Sequence, residues 1–193
     1  ESYAAAKNSP HLELFRKKGI EVLLMYDRVD EWMMSFMDEY KGKKFVSVAK
    51  GALDLGELED QQEKQKAEQA EKDFQPLVER MQKVLEDRVK EVKVSHRLTD
   101  SPSCLVVAEN DMAVSMQKLL KQAGHNVPTI EPVLEINPDH VLVRQLQGID
   151  DEQHFNDWTL ILFEQAMLSE GGQLDDPVAY VSRVNKMLQQ LTS

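Results

Sequence analysis

The sequence predicts an α+β protein: a small α/β layer over residues 1–57, then a mixed three-stranded sheet with helices over 58–193, closed by a helical hairpin. Three observations predict it. The first fifty residues read helix, strand, helix, the grammar of an α/β layer. Between 89 and 136, three short runs rich in β-branched residues are separated by turn residues. The last forty-odd residues hold two helical patterns joined at Glu170-Gly171-Gly172-Gln173. A hydrophobic content of 41% beside 30% charge suits a soluble domain able to bury a core.

Residues 2–7 suggest a helix end, stopped by Asn8-Ser9-Pro10. A short helix follows at 11–18, with Leu12, Leu14 and Phe15 as its apolar residues and Gly19 as its stop. Residues 20–24, IEVLL, read as a buried strand. A helix is expected from Asp27 to about Tyr40, and 44–48 is a second, shorter strand. From Gly51 to Gly56 the sequence loosens, and the run to Asp73 is polar all round. Such a run is either a solvated or bridging helix or a disordered linker. Pro76 is expected to interrupt it. A second helix then places Phe74, Leu77, Val78, Met81, Val84 and Leu85 on one face.

Residues 89–98 alternate, with Val92, Val94 and His96 on one side and Lys93, Ser95 and Arg97 on the other, as in a half-buried strand. After the turn Thr99-Asp100-Ser101-Pro102, residues 103–107 form another strand. Asn110 or Asp111 caps a helix running to Ala123, and Gly124 ends it. Residues 129–136 are a third strand, which Pro132 assigns to a sheet edge. Asn137-Pro138 opens a short helix over 140–146.

The closing hairpin carries the richest signal. In its first helix, 150–169, apolar residues including Trp158, Ile161 and Leu162 go round most of the circumference, which calls for cover on more than one side. The second helix, 177–191, starts on Asp175 or Asp176 as cap and Pro177 in the first turn. It shows a narrow seam of Val181, Val184, Leu188 and Leu191, widened by Val178 and Met187. Pattern alone leaves two readings equal: a two-fold dimerisation element or an ordinary internal core.

The net charge of −11 is concentrated in residues 57–73, at −4, and 148–193, at −6. That surface repels phosphate, which argues against nucleic acid. No apolar run approaches the ~20 residues of a membrane helix. One cysteine excludes an intramolecular disulfide and suits a reducing cytoplasm. The start at Glu1, directly on a helix-forming run, suggests a piece of something longer.

Little points to catalysis. Cys104 with His96 or His140 can be imagined as a thiol–imidazole pair, and His96, Asp100 and Cys104 as a small hydrolase, but Cys104 lies mid-strand, where free cysteine acts as a small hydrophobe. No histidine pair has metal-site spacing, there is no CxxC, and no glycine-rich phosphate loop is present. Two features remain. Trp32 sits with Met33 and Met34 on a helix that also carries acids. Met112, Met116, Leu119 and Leu120 form a methionine-rich stripe, either core or an adaptable binding surface.

The segments SPHLELFRKKGIEVLLMYDRVDEWMM, HRLTDSPSCLV and LEINPDHVLV, in that order, resemble the C-terminal part of the heat-shock protein 90 family, its bacterial members above all. The resemblance covers essentially the whole chain. It implies an ATP-dependent chaperone, active in the stress response, that works as a V-shaped homodimer. Residues 1–57 would end its middle domain, and 58–193 would be its C-terminal dimerisation domain, the paired hairpins forming a four-helix bundle. The dimer contact would then use Trp158, Ile161, Leu162, Val181, Val184, Leu188 and Leu191. Partly folded clients would meet Trp32, Met112, Met116, Leu119 and Leu120, with Ser35 standing where a close relative carries an amide. ATP and Mg belong to a domain of the full-length protein that has no counterpart here, so the chain should have no cofactor and no ATPase activity. The ending QQLTS lacks the acidic pentapeptide that recruits tetratricopeptide co-chaperones, as expected of a bacterial cytoplasmic member. The remaining alternative is a passive acidic dimeric scaffold.

Overall fold

A mixed three-stranded sheet carries the core of the computed structural model, which describes residues 2–34, 36–51, 61–108, 124 and 131–190. The sheet is formed by β3 (Glu91–Val94), β4 (Ser103–Val106) and β5 (Val133–Ile136), in the order β3-β5-β4. Strand β5 runs parallel to β3, with Val92 opposite Leu134, and antiparallel to β4, with Leu105 opposite Leu134. The fold is α+β, as the sequence predicts.

Pro132 does not put β5 at an edge; β5 is the central strand. Proline stands one residue before the strand, where it needs no N–H, and its carbonyl still accepts from Lys90 N–H at 2.9 Å. The edge strand β3 is instead tied from outside, its Val92 N–H donating to Gln82 Oε1 at 2.7 Å.

Before the sheet come α1 (Tyr3–Asn8), a 3-10 turn at Pro10–Leu12, α2 (Glu13–Lys18) and α3 (Arg28–Met34). Helix α2 stops as expected: Gly19 takes φ 66°, so Ile20 N–H can turn back to the Phe15 carbonyl at 2.9 Å. Three expectations fail here. Residues 20–24 form no strand; no described segment pairs with them, and Leu23 is exposed. The helix predicted to about Tyr40 ends at Met34, and the second strand shrinks to β2 (Lys43–Lys44). Strand β2 closes a two-residue hairpin with β1 (Glu39–Tyr40).

Helix α4 (Gln61–Val84) also departs from expectation, running unbroken through Pro76. Proline removes one helical bond, but Lys72, whose carbonyl loses its donor, is exposed, so water can replace it. Helices α5 (Val141–Gln147), α6 (Glu152–Ser169) and α7 (Pro177–Gln190) follow the sheet. His140, not Asn137, caps α5, its Nδ1 accepting Leu142 N–H. Asn137 instead holds the turn, accepting from Asp139 N–H and donating to the Ser101 carbonyl.

The sheet has two unlike faces. One packs Val92, Leu105, Leu134 and Ile136 against Met81 of α4 and Phe155 and Leu162 of α6. The other carries only a small cluster around Leu98, Cys104 and Val106. Glu135, between Leu134 and Ile136 on β5, falls on this second face by strand alternation. The alternation read from sequence breaks after Val94: Arg97 is 1% exposed, whereas His96 points to solvent.

Candidate functional site

The hairpin is built from caps and ion pairs. Asp151 starts α6 by accepting His154 N–H at 2.7 Å, and Asp176 starts α7 by accepting Ala179 N–H at 2.9 Å. The two helices lie antiparallel, as their cross-links require. Lys186 Nζ donates to Asp157 Oδ2 at 2.7 Å, and Arg183 Nη2 donates to Glu164 Oε1. Both acids are buried.

The seam residues divide. Val181 is 53% exposed, Leu188 55% and Val178 79%, while Val184 is half-buried. Met187, read as widening the seam, faces inward and is the buried apolar residue of α7. On α6, Leu162 lies wholly in the main core and Ile161 is buried. These two support the hairpin from within. Trp158 packs partly on the core, its indole N–H donating to His154 Nε2 at 3.2 Å. Leu191 lies outside the described residues.

A second apolar face is on α3. Trp32 is 68% exposed and stacks edge-on against Phe36, 77% exposed, with ring centroids 5.5 Å apart. Val29 and Met33 lie open beside them. Sequence reading named Trp32 and missed Phe36; spacing of four on one helix was the available signal, but the helix stops between them. Met112, Met116, Leu119 and Leu120 lie outside the described residues.

The structure does not assemble the imagined hydrolase. Cys104 is fully buried, and burial pushes its thiol well up, aided by the Glu135 charge. His96 bonds Glu71 at 2.9 Å. Asp100 accepts from Thr99 Oγ1, while its own N–H goes to Glu13. Among the described residues, no group of three or more His, Cys, Asp or Glu is arranged to hold a metal ion, and no helix is long and apolar enough to cross a membrane.

A third constellation was missed altogether. Residues 2–51 are fastened to the rest by buried charged groups. The Glu13 carboxylate of α2 accepts from the N–H groups of Thr99, Asp100 and Ser101 and from the Ser101 hydroxyl. Burial raises the Glu13 carboxyl, but these hydrogen bonds, Asp100 foremost, outweigh it and hold the group below its ordinary value. Arg97 works in the opposite sense. Its guanidinium donates to the carbonyls of Val48 and Gly51, at 2.8 and 2.7 Å, while Nε holds Glu135 at 3.0 Å. His11 adds a contact to Glu170 at 2.9 Å.

The arrangement defines an α+β protein that exposes a helical hairpin and an aromatic face. The chain belongs to the heat-shock protein 90 family: a family model described as Hsp90 protein matches residues 1–193. It is 56% identical over 188 residues to the chaperone protein HtpG of Nitrosococcus oceani, covering 97% of this chain and 30% of that protein. With HtpG of Burkholderia cenocepacia it shares 57% over 188 residues, 97% of this chain and 29% of the relative. HtpG of Alkalilimnicola ehrlichii is 56% identical over 190 residues, 98% and 29%. The chain thus spans about 30% of the length of the curated relatives it matches.

Proposed function

We propose that this chain is the dimerising and client-contacting part of an ATP-dependent chaperone. One observation carries the reading: α7 turns an apolar seam of Val178, Val181 and Leu188 away from its own core. A soluble protein seldom leaves such a ridge open without a use for it. Two copies that cross their α6–α7 hairpins bury the ridge twice, in a self-complementary four-helix bundle. Trp158 and Val184 border that contact, Leu191 continues it by spacing, and Ile161 and Leu162 brace it from inside.

Partly folded clients meet the face around Trp32 and Phe36, with Met112, Met116, Leu119 and Leu120 as a second patch. Residues 1–57 and 58–193 act as separate units, a division supported by core clusters that take no residue from 2–51. The chain itself neither binds nor hydrolyses ATP; nucleotide and Mg act in the full-length cytoplasmic chaperone.

Sedimentation velocity tests the reading. The chain should be dimeric at micromolar concentration. Each Val or Leu buried contributes ~1.5–3 kcal/mol, so Val181→Ser with Leu188→Ser should weaken the dimer by about a hundredfold or more. An intact chain that stays monomeric overturns it.

A further inference from the structure

The open side of α7 mixes polar and apolar residues, and their positions are ordered. Ala179, Tyr180, Val184 and Met187 meet the rest of the chain, half-buried or buried, while Val178, Val181, Ser182, Asn185, Leu188 and Gln189 face out. At about 100° per residue, Asn185 falls within the arc that Val178, Val181 and Leu188 define, and Ser182 and Gln189 lie on one flank of it. Val178, Val181, Asn185 and Leu188 recur at spacings of three, four and three, the rhythm of a helix–helix seam. One inner position of that seam is therefore an amide.

On a single chain the amide is at no disadvantage. Asn185 is exposed, and among the described residues nothing hydrogen-bonds its side chain, so water serves it. Closing two seams on each other changes that. The amide then leaves water with the apolar residues beside it, and an unpaired amide among apolar side chains is costly. Its neighbours along the seam, Val181 and Leu188, have no polar side-chain atom to offer. Two-fold symmetry supplies the missing group. A residue on the axis meets its own copy, and a carboxamide both donates and accepts, so two of them satisfy each other. Of the two inner seam positions, Val181 on the axis would leave Asn185 against the second copy's apolar end. Asn185 on the axis sets amide against amide.

We propose that Asn185 lies at the two-fold axis of the dimer and pairs with the Asn185 of the second copy, fixing the register in which the two seams meet. The inference rests on the dimer reading above and adds where on α7 the axis passes and what holds it there. Such a pair contributes register rather than strength, since an apolar residue in its place would stabilise the contact more.

Cross-linking of the chain at micromolar concentration tests it. Asn185→Cys should form a disulfide between copies in oxidised glutathione, because only residues within about 7 Å of each other at Cα can be bridged. Cys104 is buried and takes no part. Ser182→Cys, on the flank, should cross-link about tenfold more slowly or worse. With Asn185→Leu added, the dimer should persist while Ser182→Cys cross-links faster than before, as the seams slip. Charge exchange reads the contact independently. Asn185→Asp and Asn185→Lys should each weaken the dimer by about tenfold or more, and mixing the two should restore it as a heterodimer in native mass measurement. Both positions are exposed on the single chain, so circular dichroism of every variant should match the parent.

A dimeric chain in which Asn185→Cys bridges no faster than Ser182→Cys, or in which the charged variants stay weak when mixed, would overturn the inference and leave the dimer reading standing. So would a Ser182→Cys rate that Asn185→Leu leaves unchanged, since the register would then be set elsewhere. A parent chain that is monomeric at every concentration overturns both.

Discussion

Residues 2–51 and residues 61–190 differ in what chiefly holds them. The later region is organised by apolar burial: Met81, Leu134, Phe155 and Leu162 meet in one cluster and are each wholly or almost wholly inaccessible. The earlier region contributes nothing to either cluster and carries most of the exposed large apolar side chains among the described residues. Beside the buried Leu12 and Phe15 and a backbone bond from Gly51 N–H to the Val107 carbonyl, it is fastened by mutual capping, a carboxylate on backbone N–H groups in one direction and a guanidinium on backbone carbonyls in the other. The difference lies in what opening costs. Parting an apolar core exposes its surface to water with no return. Parting the whole polar joint returns every charge to water, which recovers much of the lost interaction. A joint of this kind is specific in geometry yet releasable as a unit.

Breaking the joint one-sidedly should therefore have the largest effect. Arg97→Met strips Glu135 of its buried partner and orphans the carbonyls of Val48 and Gly51. The expected loss is about 3–5 kcal/mol in a denaturant melt. Arg97→Met with Glu135→Leu should recover part of it, because the buried carboxylate is then gone and Lys93, the other cation near it, is exposed enough to turn to water. The Ser95 hydroxyl and the carbonyls of Val48 and Gly51 still lack their partners. In the apolar region Leu162→Ala should cost about 2–5 kcal/mol, with no second substitution of comparable simplicity to rescue it. That contrast in rescue, more than either size, separates the two regions.

The same contrast explains what was legible in the sequence. The hairpin was, because its signals are local: Asp176, Pro177 and a recurring apolar seam mark the start and face of α7 without reference to the rest of the chain. The strands around Val92, Leu105 and Leu134 were, because β-branched runs between turns need little context. Arg97 was not. Its burial depends on Glu135, far along the chain, and on carbonyls at Val48 and Gly51, none of which announces a partner. Glu13 looks like any first-turn acid of a helix until the turn at 99–101 is brought to it. The prolines misled because the rule concerns a missing N–H, and neither Pro76, on the exposed side of α4, nor Pro132, before β5, stands where that N–H is needed. Within the seam, Met187 and Val178 both fit the spacing; Met187 turns inward, on the side that also carries the half-buried Tyr180 and Val184.

Acid should sharpen the comparison more gently. The Glu13 carboxyl sits below its ordinary value in the folded chain, so the stability it contributes is present above the usual carboxylate range. It is lost as the pH falls through the lowered folded value. Glu13→Gln should thus be less stable than the parent near neutrality and approach it at acid pH. The loss near neutrality should be of the order of a charged hydrogen bond, roughly 1.5–3 kcal/mol. Amide exchange at Thr99, Asp100 and Ser101 reports the site, and protection there should fall in the variant at neutral pH. Parallel pH curves for the two chains would show that Glu13 takes no part in the acid response.

The smallest expected effect on stability comes from the most conspicuous side chains. Trp32 and Phe36 stack on each other rather than on any core, and both are largely open to water. Removing them gives up one exposed edge-on contact, worth ~0.5–1.5 kcal/mol at most, and no buried area of consequence. Trp32→Ala with Phe36→Ala should therefore leave the melting midpoint within about 1 kcal/mol of the parent. If this face meets clients, as proposed, the same variant should protect an unfolding protein from aggregation less well. Tryptophan and phenylalanine bring large apolar area to a contact at little entropic cost, which is why aromatic side chains gather where binding energy concentrates. A large fall in stability would make the pair a packing element of residues 2–51, a region whose apolar burial would then extend well beyond Leu12 and Phe15. Unchanged stability with unchanged protection would remove Trp32 from the client surface and leave the polar joint as the defining feature of this part of the chain.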